Sequence, residues 1–304
     1  MITRFRISKQ TWRSNRAGYL FLLPWLVGFF GLTLIPMLSS LYLSFTSYDL
    51  LTPSRWIGLD NYKAMFTSDR AFADSVKTTL LFVFLSVPCK LAFALLIAIV
   101  LNRQMAAVKL YRTAFYIPSL LGGSVAISIV WKKVFDGDGL VNQALALFHL
   151  DGPSWISHPH YAGLTLVALT TWQFGSSMVI FLAGLKQIPT ELYEASGVDG
   201  ARKMRQFFHI TLPLLTPVIF FNLVMQFIHA FQTFTSAFII SGGTGGPTNS
   251  TLLYTLYLYM RAFNFFEFGY ASAMAWLLLV VLAAFTAFLF ISSRFWVFYE
   301  DGRK

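Results

Sequence analysis

The sequence predicts an all-α membrane protein that crosses a bilayer six times, and three observations carry that prediction. Residues of the A, V, I, L, M, F, W, Y and C class make up 56% of the 304-residue chain and only 12% are charged. A soluble domain has roughly a quarter of its residues charged, and this much apolar side chain would overfill its core. Apolar runs long enough to cross a bilayer as helices recur over about 19–44, 77–101, 113–135, 161–185, 212–240 and 270–293. The net charge of +10 is parcelled out between these runs. A nucleic-acid surface would gather the basic residues on one solvated face, so that class of partner is excluded.

The first run follows Arg4, Arg6, Lys9, Arg13 and Arg16. It has the basic head of a secretory signal, but from Tyr19 to Phe45 it is too long for a signal core and lacks a small-residue cleavage site. It is read as an uncleaved first span. The polar loop after it carries Asp49, Asp60, Asp69 and Asp74, and its stretch from Thr46 to Asp60 suits short helices or turns.

The second run contains Lys90 just after Pro88. A lysine facing lipid at that depth costs about 2.5–3.5 kcal/mol on insertion scales, so it must face protein or water. Carbonyls freed near Pro88 and a transported solute are both open as its partner. The third run closes on Trp131, Lys132 and Lys133, where snorkelling explains the lysines. The next loop holds Asp136, Asp138, His149, Asp151, His158 and His160, with a stretch from Gly152 to Pro159 that suits short helices or turns. Their spacing matches no standard metal-ligand pattern, and they read as solvated loop residues.

In the fourth run Thr170, Gln173 and Ser177 fall on one helix face beside Trp172; in the fifth, Asn222, Gln226, His229 and Thr233 do the same. Amides and hydroxyls beside aromatic rings suit a polyhydroxyl solute passing between helices. Interhelical hydrogen bonding, worth about 1 kcal/mol per bond, accounts for the same residues, and both readings stay open. The fifth and sixth runs are joined by a Gly-rich turn, Gly242 to Pro247.

Six crossings place both ends on one side. Arg103, Lys109, Arg112, Lys186, Arg202, Lys203, Arg205 and Arg294 share that side with both termini, whereas Arg55, Lys63, Arg70 and Arg261 fall opposite. Both termini are therefore expected in the cytoplasm of a bacterial cell, with the chain forming one transmembrane domain over 1–304.

The chain carries no Gly-rich phosphate loop followed by Lys and Ser or Thr; the GGTGGP turn lacks the lysine. No catalytic grouping is present, and Cys89 is the single cysteine. It reads as a non-enzymatic chain that binds no cofactor of its own. One loop breaks this apolar monotony. From Ile188 to about 212 the sequence is charged and looks built as short helices: Thr190 as an N-cap, Glu191 and Glu194 in the first turn, Gly197 as a stop. Asp199 then caps a second helix, Gly200 permits close backbone approach, and Pro213 marks entry to the fifth span.

Glu194-Ala195-Ser196, Asp199-Gly200-Ala201 and Ile210-Thr211-Leu212-Pro213 together resemble the EAA loop of ABC importer permeases. Gly242-Gly243 through Gly246-Pro247 and Phe268 to Met274 resemble the last spans of the carbohydrate-uptake type, and Tyr19 to Pro36 with Ile57 to Tyr62 resemble the first permease of the pair. Ser196 stands where the family often has a second alanine, a small-for-small exchange.

The resemblance covers nearly the whole chain and implies a type I ABC importer transmembrane domain in the cytoplasmic membrane. It implies sugar import by binding-protein-dependent transport, in which a cytoplasmic ATPase dimer holds the ATP and Mg. A second homologous permease and an extracytoplasmic solute-binding protein complete the assembly. Glu191, Glu194, Ala195, Ser196, Asp199, Gly200, Ala201, Arg202 and Pro213 are the implied ATPase-coupling residues; Trp172, Gln173, Asn222, Gln226, His229 and Thr233 are the candidate substrate pathway. The rival class, an ion-coupled secondary transporter, needs intramembrane carboxylates, and the apolar runs are nearly free of Asp and Glu.

Overall fold

The computed structural model describes residues 9–103 and 107–298, with side chains described from residue 18. Arg4 and Arg6 of the basic head, and Arg303 and Lys304, which belong to the same expected cytoplasmic set, lie outside those residues, as do the side chains of Lys9, Arg13 and Arg16. The described residues are mostly helical. Four helical runs are long and apolar enough to cross a membrane: Gly18–Ser44, Arg70–Leu101, Lys203–Phe231 and Phe268–Trp296. Two bent pairs pass the same test together, which brings the total to six if each is one span.

The described residues up to Ala64 form one compact unit with Arg261–Leu277. Its first run comprises α1 (Lys9–Val27), a π-helical stretch (Gly28–Leu34) and α2 (Ile35–Ser44). After α2 comes a two-residue hairpin, β1 (Thr46–Ser47) against β2 (Arg55–Trp56), in antiparallel register Thr46↔Trp56. The polar 46–60 stretch thus contributes a strand pair, not helices. Asp49 closes its turn, accepting from the Thr52 amide (2.8 Å) and hydroxyl (2.8 Å), which holds its carboxyl below the ordinary value. Helix α3 (Asp60–Thr67) follows; Asn61 donates to the carbonyls of Ser44 (2.9 Å) and Thr46 (3.0 Å), pinning the hairpin to the end of α2.

The other unit runs from Met65 to Met260 and resumes at Leu278. Helix α4 (Arg70–Leu101) begins well before the apolar run, because Asp69 caps it by accepting from the Phe72 amide (2.9 Å), so charged residues make its first turns. Where one helix is predicted over 113–135, α5 (Val108–Leu121) and α6 (Val125–Val134) meet at 101°. Ser124 caps α6 after Gly122 and Gly123, and a hydropathy count cannot see such a turn.

Helix α7 (Leu140–Ala146) lies in the next loop, and His158 caps α8 (Pro159–Trp172), its Nδ1 accepting from the His160 amide (3.3 Å). Helices α8 and α9 (Gly175–Leu185) are bent by 44° at Gln173. Short helices α10 (Thr190–Val198) and α11 (Lys203–Gln206) precede a π-helical turn (Phe207–Thr211) and α12 (Leu212–Phe231). Then come α13 (Thr235–Ser241), α14 (Tyr254–Tyr259) and α15 (Phe268–Trp296), the last of which continues from the first unit into the second.

The second unit's core lies where α4 packs against α8, α9 and α12. Close approach is built in by small residues. A Cβ at Gly184 of α9 would stand 2.8 Å from Val218 and 2.9 Å from Leu215 of α12. One at Gly175 would stand 2.6 Å from the Phe115 carbonyl of α5. Edge-to-face pairs lock α4 to its neighbours, Phe84 on Phe227 (5.7 Å) and Phe93 on Phe174 (4.8 Å).

Candidate functional site

The loop between α9 and α12 is polar and largely exposed. Pro189 holds an extended backbone (ψ 134) immediately before α10, so Thr190 is the first helical residue and makes no cap. Glu191 occupies the first turn as expected, whereas Glu194 lies one turn further on. Gly197 does not stop the helix, which continues through it to Val198.

The stop is Gly200, at φ +75. With Asp199 as C-cap, the Gly200 amide bonds the Gly197 carbonyl (3.0 Å) and the Ala201 amide bonds the Ser196 carbonyl (2.9 Å). This is the paired closure that a left-handed residue permits. A Cβ at Gly200 would meet nothing within 4 Å, so its glycine serves conformation and not close approach within this chain. Asp199 therefore ends α10 and does not cap α11; Arg202, with extended backbone, holds that place without a side-chain bond.

Three side chains tie the loop to the span that follows. Gln206 donates to the Tyr193 carbonyl (3.1 Å) and the Ser196 hydroxyl (2.9 Å), and the Tyr193 hydroxyl pairs with that of Thr211 (2.9 Å). Helical backbone then runs without a break from Lys203 to Phe231, so Pro213 lies inside a continuous run. The widened turn at 207–211 precedes it, with the Leu212 amide reaching the Phe207 carbonyl.

The charged groups Glu191, Glu194, Asp199, Arg202 and Lys203 are exposed, as is Ala195, while Ser196 and Ala201 are half-buried. Among them stand four exposed apolar side chains, Leu192, Val198 (90% exposed), Met204 and Phe208. The sequence pattern singles out neither these four nor the tying residues Tyr193 and Gln206, and it holds Thr211 only as part of the motif ending at Pro213. The apolar four had a readable signal, being isolated large hydrophobes in a charged segment; the ties had none, since they join positions up to 18 residues apart.

The candidate pathway residues divide. Asn222 (1% exposed) and Gln226 (8%) are buried on α12, and Asn222 donates to the Val218 carbonyl (3.1 Å) while its Oδ1 finds no partner among the described residues. His229 is exposed, and Thr233 lies beyond the end of α12, where its hydroxyl donates to the His229 carbonyl (3.2 Å). The expected single face therefore ends at the helix terminus. Thr170 and Ser177 are separated by the α8–α9 bend.

Gln173 occupies that bend and donates to the Gly122 carbonyl (2.8 Å) at the other bend; a Cβ at Gly122 would overlap the Gln173 side chain. The two breaks are thus braced on one another. Trp172 sits beside Trp131, centroids 5.8 Å apart, and the Trp131 indole donates to the Thr165 carbonyl (3.0 Å). Lys132 is more than a snorkelling cation, since its ammonium donates to the Ile239 carbonyl (3.4 Å) near the C-terminus of α13.

The family model for the inner membrane component of binding-protein-dependent transport systems matches residues 64–297. The chain belongs to this family. The permease is 54% identical to the probable ABC transporter permease protein YesP of Bacillus subtilis (strain 168), over 98% of this chain and 96% of that one. It is 31% identical to the lactose transport system permease protein LacF of Rhizobium radiobacter, over 91% and 94%. Its fold matches a chain of a bacterial alginate ABC transporter crystallised in complex with an alginate pentasaccharide-bound periplasmic protein, with a TM-score of 0.82 at 22% identity, covering 95% of the permease and 98% of that chain. The permease therefore has the type I ABC importer fold and is membrane-embedded.

Proposed function

We propose that the permease moves a carbohydrate across the bacterial cytoplasmic membrane by alternating access, and that its 191–213 loop couples it to a separate ATPase. The observation that carries this is the construction of the loop: its charged and apolar side chains face outward, while its backbone is tied to the fifth span. A segment that only linked two spans has no need of both properties. Exposed Leu192, Val198, Met204 and Phe208 beside oriented charges make the mixed surface that a protein partner recognises. The hydrogen bonds from Gln206 then pass any displacement of α10 to α11 and onward to α12.

The cytoplasmic ATPase dimer supplies ATP and Mg, and the chain itself binds no cofactor. The family's dependence on binding proteins supports an extracytoplasmic solute-binding protein as a further partner. A second homologous permease, making a heterodimer, supplies the other half of the path. The basic side of the membrane, with both termini and this loop, is the cytoplasm. Sugar as cargo is supported by relatives such as the lactose permease. Trp172, Gln173, Asn222, Gln226, His229 and Thr233 are assigned to the path or its immediate support.

The test is the assembled importer in proteoliposomes. Gly200→Val forces a branched side chain into a left-handed conformation costing about 1–2 kcal/mol or more. Stimulation of ATP hydrolysis by loaded binding protein is expected to collapse while unstimulated hydrolysis by the ATPase persists. Full stimulation in that variant would remove the coupling role.

A further inference from the structure

The helical run from Lys203 to Phe231 is longer than a bilayer is thick. Its 29 residues extend about 43 Å at about 1.5 Å per residue, against a hydrocarbon core of about 30 Å. The apolar part, α12 from Leu212 to Phe231, fills that core by itself. The stretch before Leu212 therefore rises out of the hydrocarbon, with Arg205 about 10 Å and Lys203 about 13 Å from its edge at the same rise.

The neighbouring span supplies a third cation. Gly184 of α9 lies against Leu215 and Val218 of α12, and the two helices run in opposite directions as consecutive crossings. From that contact Lys186 lies about 3 Å further toward the loop along α9, and Leu212 about 4.5 Å further along α12. Lys186 thus marks the hydrocarbon edge itself.

Lys186, Lys203 and Arg205 are exposed, and among the described residues none of them makes an ion pair, the loop's own Glu191, Glu194 and Asp199 included. Cations at the far end of the same unit behave differently: Lys133 pairs with Asp136 (3.6 Å), and Lys132 donates to the Ile239 carbonyl (3.4 Å). Charges answered at one end of the spans and left open at the other are presented to something outside the chain. Depth decides what that is. At the level of Lys186 lies the headgroup layer, about 5–7 Å thick on each side of the hydrocarbon. Arg205 and Lys203 stand just beyond it, on side chains long enough to reach back.

We propose that the ends of α9 and α12 beside the coupling loop form a binding surface for anionic phospholipid, whose phosphate groups are held by Lys186, Lys203 and Arg205. This rests on the proposed cytoplasmic placement of that loop, because the cytoplasmic leaflet carries the negative surface potential. An ammonium or guanidinium meeting a phosphate oxygen makes a charge-assisted hydrogen bond, and Arg205 can make two in parallel. A soluble ATPase seated on α10 does not enter the headgroup layer, so Lys186 belongs to lipid alone. Bound headgroups hold the junction of α11 and α12 at a fixed height, against which a displacement of α10 moves the span.

The test reconstitutes the complete importer in bilayers of equal parts phosphatidylcholine and phosphatidylglycerol, re-extracts it in mild detergent and quantifies the retained lipids by mass spectrometry. A parallel series measures stimulation of ATP hydrolysis by loaded binding protein in the same bilayers. The wild type is expected to retain phosphatidylglycerol preferentially. Combined Lys186→Gln, Lys203→Gln and Arg205→Gln is expected to lower that preference about fivefold or more, whereas Lys133→Gln at the far end leaves it unchanged. Lys186→Arg with Lys203→Arg, which keeps the charge, is expected to retain it. Undiminished preference in the triple Gln variant would overturn the inference. Displacement of the lipid by glycerol phosphate in solution would also overturn it, giving the cations to a free anion. Loss of the ATPase from the triple variant with lipid preference intact would give them to the ATPase and overturn it too. Lipid preference in a wild type that loaded binding protein does not stimulate would support this inference and overturn the coupling role instead.

Discussion

The loop from α10 to α11 and the polar positions of α12 treat hydrogen bonding in opposite ways. In the loop the side chains that bond, Tyr193, Ser196, Gln206 and Thr211, satisfy one another, and the charges are left in the open. On α12 the amides of Asn222 and Gln226 are buried, and Asn222 keeps an oxygen without a partner among the described residues. The loop is a finished, stiff object with a surface to offer; the span holds capacity in reserve. Stiffness is what transmits a displacement from a partner, and unspent hydrogen-bonding capacity is what receives a solute.

That contrast breaks most visibly at Gly200. Gly200→Val is expected to reduce sugar uptake by about tenfold or more, each 1.4 kcal/mol being worth a factor of ten, while the permease keeps its abundance in the membrane. Uptake assays beside immunoblots of membranes check this. Next in size is Gln226→Leu, expected to cut uptake several-fold without disturbing assembly with the ATPase. His229→Leu, at an exposed position, should have the smaller effect of the two. Co-purification and uptake assays on both variants sharpen where the path runs, and normal transport in both would remove α12 from it.

A third experiment addresses the braced bends. Gly122→Ala is expected to lower stability by about 1–3 kcal/mol through overpacking against Gln173. Combining it with Gln173→Ala should cost less than the sum of the two, because the second change makes room for the first. Thermal unfolding in detergent measures that cycle. The smallest effect belongs to Asp49, outside both regions. Its carboxyl is held low by Thr52, so the turn it closes is fully supported above the ordinary carboxylate range and weakens as pH falls through the depressed value. Asp49→Ala should abolish that local acid sensitivity, read by hydrogen exchange at Thr52, with uptake unchanged.

Much of the architecture was legible because bilayer thickness acts on composition alone. A run of apolar residues announces a crossing whatever its neighbours do. The loop motif was legible for a related reason, since short-range spacing of small and charged residues is local information. What failed was directional. The bend at Gly122 and its brace at Gln173 are 51 residues apart, and hydropathy has no sense of angle.

Within the loop, Thr190 and Asp199 had the chemistry of caps, but backbone decided the matter. Pro189 already supplied the extended residue before α10, and the left-handed Gly200 fixed where it ended. The expected stripe on α12 ran past the helix end, so Thr233 turned back onto the His229 carbonyl.

The central claim is that α10 seats on an ATPase, and site-specific cross-linking tests it most directly. Val198, 90% exposed at the tip of that helix, is replaced by cysteine in a Cys89→Ser background and joined by a short bifunctional thiol reagent to cysteines placed one at a time over the ATPase surface, in membranes holding the complete importer. The account predicts a cross-link confined to one cleft of the ATPase, its yield changing when ATP is added. No cross-link from position 198, with efficient cross-links from a different loop of the permease, would contradict it.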